Sequence, residues 1–388
     1  MKPPKFFQDL FKVKKVDYET KHEMIVAKNS IDLLNKVEEF VAKIPKNDIL
    51  KITMGNTIAN RKSKTKIAIT GGAGFIGSNL AKYFAARGDE VLVVDIFRDL
   101  EIFSNGNLRS FGHYKNLLGF GGDVYCGDIC DDATLEMIAD FAPRAIFHQA
   151  AISDTTVSEQ SQVMKVNLSS FTKLLKLSLK CDANLIYASS GATYGDAPSP
   201  QTVGKNENPL NAYGFSKLMM DKMAHNFCVQ NPRAKLVGLR YFNVYGAGEF
   251  YKNKTSSMIL QFGLQILKDG KVKLFEGSQK IYRDFVYIKD IILANELALN
   301  APNGVYNAAT GKARSFSQIV DILENELDIK CQREYIKNPF KRGYQFHTQA
   351  DLSTSQTALK YQPQFSLELG ISDYKDEIKR IFKDEINA

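Results

Sequence analysis

The chain lacks any apolar run approaching the roughly 18–20 residues that cross a bilayer, which argues against a membrane-spanning helix and for a chain with no membrane partner. Its N-terminus, MKPPKFFQDLFKVKK, has no uninterrupted apolar stretch ahead of a small-residue cleavage site, so it does not read as a secretory signal. Cysteine is sparse. Cys126, Cys130, Cys181, Cys228 and Cys331 are scattered, odd in number and without CxxC pairing. Neither a disulfide framework nor a metal site is expected, and reduced thiols in a cytoplasmic protein fit best. A one-signed charge over the main body is also missing. The net charge is +8, but residues 1–65 hold 14 Lys+Arg against 8 Asp+Glu, which leaves the rest close to +2. Bulk charge therefore recruits no nucleic acid to the body of the protein.

What is present is ordinary globular material: 388 residues, 44% apolar and 24% charged, enough for two or three domains. Residues 1–65 stand apart as a basic extension of unknown role. A helix is expected at 31–44, with Ser30 as N-cap, Ile31, Leu34, Val37 and Val41 near one face, and Pro45 closing it. NTIANRKSKTK then reads as a polar linker. From Lys66 the pattern changes to short apolar strands (KIAIT, VLVVDI, AIFHQAA, NLIYASS and KLVGLRYFNV) separated by helical stretches such as 168–180. That alternation predicts an α/β fold, a Rossmann-type doubly wound parallel sheet over 66–245. After 245 the alternation breaks up. VKLFEG, RDFVYI and GVYNAA mix with helices near 257–268, 289–300 and 315–327, which predicts a smaller mixed α/β C-terminal substrate domain over 246–388, interleaved at the boundary.

Two motifs carry chemistry. Gly71, Gly74 and Gly77 lie between the first strand and a helix. Glycine there permits a tight turn and close approach of backbone to a pyrophosphate, and the helix N-terminus supplies N–H groups and positive dipole. Asp95 follows the second strand, 18 residues beyond Gly77, where an acid reaches the adenosine ribose. Asp95 favours NAD, whereas Arg98 nearby suits the 2′-phosphate of NADP. The second motif is Tyr213-Gly-Phe-Ser-Lys217, which puts phenol and ammonium on one helix face. The lysine charge and a cationic nicotinamide lower the phenol's pKa, so that it takes a proton from an alcohol as hydride leaves. Ser190, at the end of YASS, is placed to hydrogen-bond the reacting oxygen. His148 sits in an apolar strand end and reads as structural or cofactor-side rather than catalytic.

Together TGGAGFIGSN, FHQAA, YASSGATYG, YGFSK, RYFNVYG, KLFEGS, RDFVY and YQFHTQADL resemble the ADP-L-glycero-D-manno-heptose 6-epimerase family, an extended short-chain dehydrogenase/reductase type, from about residue 66 to 384. The resemblance implies inversion at C6 of an ADP-heptose through a transient keto intermediate, for lipopolysaccharide core heptose. It implies bound NADP, with NAD the alternative, and a homo-oligomer. It places Phe75, Ile76, Asp95, Ile96, Gln149, Ala150, Ala151, Ile152, Ser153, Asn167, Lys217 and Val244 around the cofactor. Tyr213 is one acid/base. The second is a lysine after NVYG: ungapped alignment selects Lys252, and Lys254, two residues on, is the alternative, otherwise a substrate contact. Asn243, Gln261, Phe275, Glu276, Gly277, Ser278, Arg283 and Tyr344 match substrate positions, with Gln261 standing where some members have histidine.

Three rivals share the scaffold. A 4,6-dehydratase places an Asp-Glu pair after the serine strand, and Gly191-Ala192-Thr193-Tyr194 has none. A hexose 4-epimerase needs only Ser–Tyr–Lys. A non-catalytic dinucleotide sensor is expected to have lost the tyrosine or the lysine, and both are here.

Overall fold

The computed structural model describes residues 64–97, 112–338 and 345–387, with the backbone of short strands at Lys12–Lys14, Met24–Val26, Glu101–Ile102 and Leu108–Arg109. The helix expected at 31–44, Arg98 and Tyr344 lie outside the described residues. Met1–Ser63 and Lys64–Ala388 are two separate compact units. In the first, Lys12–Lys14 pairs antiparallel with Met24–Val26.

The second unit is built on a seven-stranded sheet. Its strands are β1 (Lys66–Thr70), β2 (Glu90–Asp95), β3 (Asp123–Cys126), β4 (Ala145–His148), β5 (Asn184–Ser190), β6 (Leu236–Tyr241) and β10 (Gly304–Ala308). The order across the sheet is β3-β2-β1-β4-β5-β6-β10, and every pairing is parallel. Chain order reverses between β1 and β4, so the crevice beyond their carboxyl ends is the natural ligand site. Helices α1 (Phe75–Ala86), α2 (Asp132–Phe141), α3 (Ser170–Lys180) and α4 (Ala212–Gln230) connect the strands.

The strands are apolar on both faces because both are covered. Ile67, Val93, Phe147 and Ile186 face one core, which continues into Ile259, Phe285, Ile319 and Ile371 of the C-terminal part. Ala68, Leu92, Ile146 and Leu185 face the other, against Phe171, Leu174 and Met220. The remaining elements are β7 (Asn243–Tyr245), α5 (Met258–Asp269), β8 (Lys271–Phe275), β9 (Tyr282–Tyr287), α6 (Ile288–Ala298), β11 (Ala313–Ser315), α7 (Phe316–Leu327), β12 (Gln332–Ile336) and α8 (Leu367–Ile381). They form a mixed three-stranded sheet, β7-β9-β11, and a parallel pair, β8 with β12.

Three sequence readings change. GVYNA, read with the smaller domain, is β10, and it adds a seventh strand to the main sheet beside β6. KLVGLRYFNV, read as one strand, breaks at Phe242; β7 leaves the sheet to pair with β9. That break carries residues 246–257 to the carboxyl edge of the sheet. β3 went unread because its side chains are mostly exposed at the sheet's edge, which removes the apolar signal. Among the described residues no helix is long and apolar enough to cross a membrane.

Because Lys64–Ala388 is compact by itself, deletion of residues 1–60 is expected to leave catalytic activity within a few-fold of the full chain. Loss of soluble protein or of turnover on truncation would show that the extension packs into the fold or its assembly.

Candidate active site

The floor of the crevice is the glycine turn. Gly71 has φ of 67° and donates to the Val94 carbonyl. A Cβ on Gly71 would sit 2.5 Å from the Ala150 nitrogen, and one on Gly77 would sit 2.1 Å from the Gly71 oxygen. A side chain at Gly71 would therefore drive the turn off the Gln149–Ala150 backbone, and one at Gly77 would push α1 away from the turn. No side chain caps the N-terminus of α1, so its first N–H groups remain directed at the crevice. This cradle fits a dinucleotide pyrophosphate. Asp95 is buried at the end of β2, and its carboxylate accepts from the N–H groups of Ala73 (2.9 Å) and Ile96 (2.8 Å). Burial pushes its carboxyl pKa up, and those backbone bonds oppose the rise. Asp95 thus braces the glycine turn while also lining the crevice.

The wall opposite is α4, whose N-cap Asn211 accepts from the Gly214 N–H. Tyr213 and Lys217 stand one turn apart on the face turned to β5. Lys217 is fully buried, donates to the Ala188 carbonyl at 2.7 Å, and holds its ammonium 5.8 Å from the Tyr213 ring centre. Burial brings its pKa down to about 8, against the pull of Asp221. Burial lifts the Tyr213 phenol above its ordinary value, with a hydrogen bond to Ser190 opposing. The drop expected from the lysine and a cationic nicotinamide together is therefore not produced by the protein's own groups. An oxidised nicotinamide bound in the crevice would supply further positive charge beside the phenol. His148 is buried, bonded to the Thr70 hydroxyl at 2.8 Å, and held neutral by burial and by the Lys217 charge, which bring it down to about 3.

A third element closes the crevice. The segment after β7 carries Tyr251 and Lys252 into the same wall as Tyr213, Ser190 and Lys217. Lys252 is half-buried, with its amine 5.7 Å from the Phe75 ring centre; burial lowers its pKa and the Glu249 carboxylate opposes this. Lys254 faces solvent instead.

The pattern of the NAD dependent epimerase/dehydratase family matches residues 67–309. The chain belongs to this family. It is 35% identical over 321 residues to the ADP-L-glycero-D-manno-heptose-6-epimerase of Brachyspira hyodysenteriae, covering 81% of this chain and 98% of the relative. Among solved structures it is similar to the Helicobacter pylori ADP-L-glycero-D-manno-heptose-6-epimerase (44% identity, TM-score 0.74, 83% of this chain and 98% of that one). It is also similar to the Thermotoga maritima UDP-glucose 4-epimerase solved with UDP-glucose (26%, TM-score 0.73, 81% and 99%). A third similar structure is the Brucella ovis UDP-glucose 4-epimerase in complex with NAD (26%, TM-score 0.71, 81% and 98%).

In this member of the epimerase/dehydratase family, most of the cofactor positions named from sequence converge. Gly71, Gly74, Phe75, Ile76, Gly77, Asp95, Ile96, Gln149 to Ser153 and Val244 line one crevice with the Ser–Tyr–Lys set. Asn167 does not join that wall. It is buried in a π turn (Lys165–Ser169), and its amide is spent on the backbone of Ile152 and the Ser216 hydroxyl, so it holds the cofactor loop from behind.

The substrate positions lie on the C-terminal elements, outside the wall that Tyr213 and Lys252 share. Arg283 is buried on β9 with its guanidinium 5.8 Å from the Phe316 ring centre. Asn243 bonds the Asp284 carbonyl and the Thr348 hydroxyl. Gln261 turns back to the Ser256 carbonyl. Phe275 ends β8, Glu276 and Gly277 are exposed in the turn that follows, and Ser278 is buried beside Ser317. Among the wall residues that went unread are Gly112, Asn116, Asp128, Ile129 and Tyr251. Asn116 donates to the Ala73 carbonyl from a short 3-10 turn that has no motif. Asp128 follows β3, whose own signal is weak, and Tyr251 had only its neighbour Lys252 to mark it.

Proposed function

We propose that the protein epimerises ADP-D-glycero-D-manno-heptose to ADP-L-glycero-D-manno-heptose at C6, supplying heptose for the lipopolysaccharide core from the cytoplasm as a homo-oligomer. One observation carries the reading: a second titratable group, the Lys252 amine with its pKa lowered by burial, lines the same crevice as Tyr213. The two relatives named as heptose epimerases support it. Epimerisation requires hydride to return to the opposite face of the carbon it left. A base fixed on one side does not readily serve both proton transfers, whereas two bases on separate elements do.

A nicotinamide held in the glycine-turn crevice would supply the hydride exchange at C6. Tyr213 exchanges the proton of the C6 oxygen in one half of the reaction, with Ser190 bonding that oxygen and Lys217 supplying charge beside the phenol. Lys252 exchanges the proton in the other half, after the keto sugar has turned. Arg283 is assigned to the diphosphate, where a guanidinium matches two oxygens at once.

Turnover of ADP-heptose against UDP-glucose tests the substrate. Preference for UDP-glucose would replace this reading with a hexose 4-epimerase, the activity named for the Thermotoga maritima structure.

The cofactor is expected to co-purify, because an epimerase regenerates it each cycle and gains nothing from releasing it. NADP is the expected species on denaturing the purified protein, with Arg98 taking the 2′-phosphate. NAD in its place would remove that role from Arg98. Reduced cofactor released in step with product would make the protein a net dehydrogenase and overturn the proposal.

A further inference from the structure

One buried carboxylate beside the crevice takes no part in the steps above. Glu249 is completely buried in the segment between β7 and α5, three residues before Lys252. One of its oxygens accepts from the Gly246 N–H at 3.1 Å and the Ser257 hydroxyl at 2.9 Å; the other accepts from the Ser257 N–H at 2.5 Å. Gly246 opens this segment directly after β7, and Ser257 is the N-cap of α5. A single side chain therefore ties the two ends of the Lys252 loop together from inside. The Lys252 N–H closes the turn onto the Glu249 carbonyl at 3.0 Å.

A buried carboxylate needs donors and a countercharge. Gly246 and Ser257 supply the donors. The titratable groups facing Glu249 are Lys252 on its own loop, Tyr245 on β7 and Tyr374 on α8. Burial raises both tyrosines above their ordinary value, so they stay neutral, and the cation in the group is Lys252. The effect is mutual: burial lowers the Lys252 amine, and the Glu249 charge pulls it back. A base that must both accept and return a proton needs this balance, because an amine stripped of water and left without an anion would stay neutral.

We propose that Glu249 is the positioning residue of the second base: it staples the loop that presents Lys252 and supplies the fixed charge against which Lys252 gains and loses its proton. This rests on Lys252 being a base, so both residues are tested in one assay.

Glu249→Gln keeps the side-chain shape and removes the charge. It is expected to lower kcat by about 10–100-fold, the lower part of the range for acid/base effects. KM and the amount of co-purifying dinucleotide should stay within about twofold, while the limb of the wild-type pH profile set by the Lys252 amine moves to lower pH. Glu249→Asp should restore that limb. A reduced kcat with the limb unmoved would leave Glu249 a structural staple and overturn the proposal. Wild-type turnover and profile would overturn it too. Near-normal turnover in Lys252→Met would instead remove the base itself.

A second readout does not depend on Glu249→Gln folding. Lys252→Met strands Glu249 without its cation and raises its folded-state pKa further above the unfolded value. The destabilisation is then fully present above the folded pKa and is lost as pH falls through it toward the unfolded value. The thermal midpoint of Lys252→Met should thus lie below wild type at pH 7.5 and approach it at pH 5, with no such trend in Lys254→Met. A pH-independent difference would overturn the coupling.

Discussion

Tyr213→Phe and Lys252→Met are each expected to abolish net epimerisation of ADP-heptose while leaving the dinucleotide bound. Neither side chain is needed for the cradle formed by the glycine turn and α1, so cofactor retention and proton transfer should separate. Loss of a positioned acid or base costs about 10²–10⁴ in rate. On an obligatory two-step route the loss should exceed that range wherever water does not replace the missing group. Each variant should still carry out the half of the chemistry served by its surviving base, given an analogue of the sugar with an aldehyde at C6. The measurement is epimerisation by Lys252→Met beside Lys254→Met. Normal turnover in the first and collapse in the second would move the base to Lys254. Normal turnover in both would return the protein to a one-base epimerase of another nucleotide sugar.

Arg240→Leu is expected to cost about 3–5 kcal/mol of folding stability, the range for removing one partner of a buried ion pair. Arg240 is among the largest fully buried side chains in the protein. Its guanidinium contacts Asp221 at 2.9 Å and Glu207 at 2.6 Å, and it lies 4.8 Å from the Tyr194 ring centre. Asp221 also accepts from the hydroxyls of Tyr187 and Ser189. Without the arginine, the buried Asp221 and the part-buried Glu207 both lose their countercharge. Asp221 is one turn beyond Lys217 on α4, so slack in this cluster should reach the catalytic lysine as well. Chemical denaturation measures the loss, and a change below about 1 kcal/mol, the size of a surface ion pair, would mean that water enters and solvates the stranded acids.

The cluster was not legible in the sequence. Asp221 and Arg240 are 19 positions apart on a helix and a strand, in stretches that read only as amphipathic or apolar. The same holds for Glu249, an acid in a loop rich in other polar residues. Each owes its role to burial, and burial of a single polar residue leaves no periodic trace. The assignment of GVYNA to the wrong sheet has a related cause. A parallel strand buried on both faces looks the same in sequence whichever sheet it joins, and only the pairing of Val237 with Gly304 decides it.

The sequence by itself determined the sheet's first five buried strands, the glycine turn, the acid after the second strand, and the Ser–Tyr–Lys set. These are local patterns: strand, turn and helix are adjacent in the chain, and Tyr213 and Lys217 share one helix face by their spacing alone. The tertiary structure decided what depends on distant segments meeting. Lys252 rather than Lys254 turns into the crevice because β7 leaves the main sheet for β9 and the loop behind it is tied at both ends by Glu249. Lys217 loses its water because α4 packs onto β5, and this, with Asp221 opposing, sets its pKa at about 8. Spacing along the chain fixes which side chains share an element. Desolvation and the meeting of charges depend on how the elements pack, which only the fold supplies.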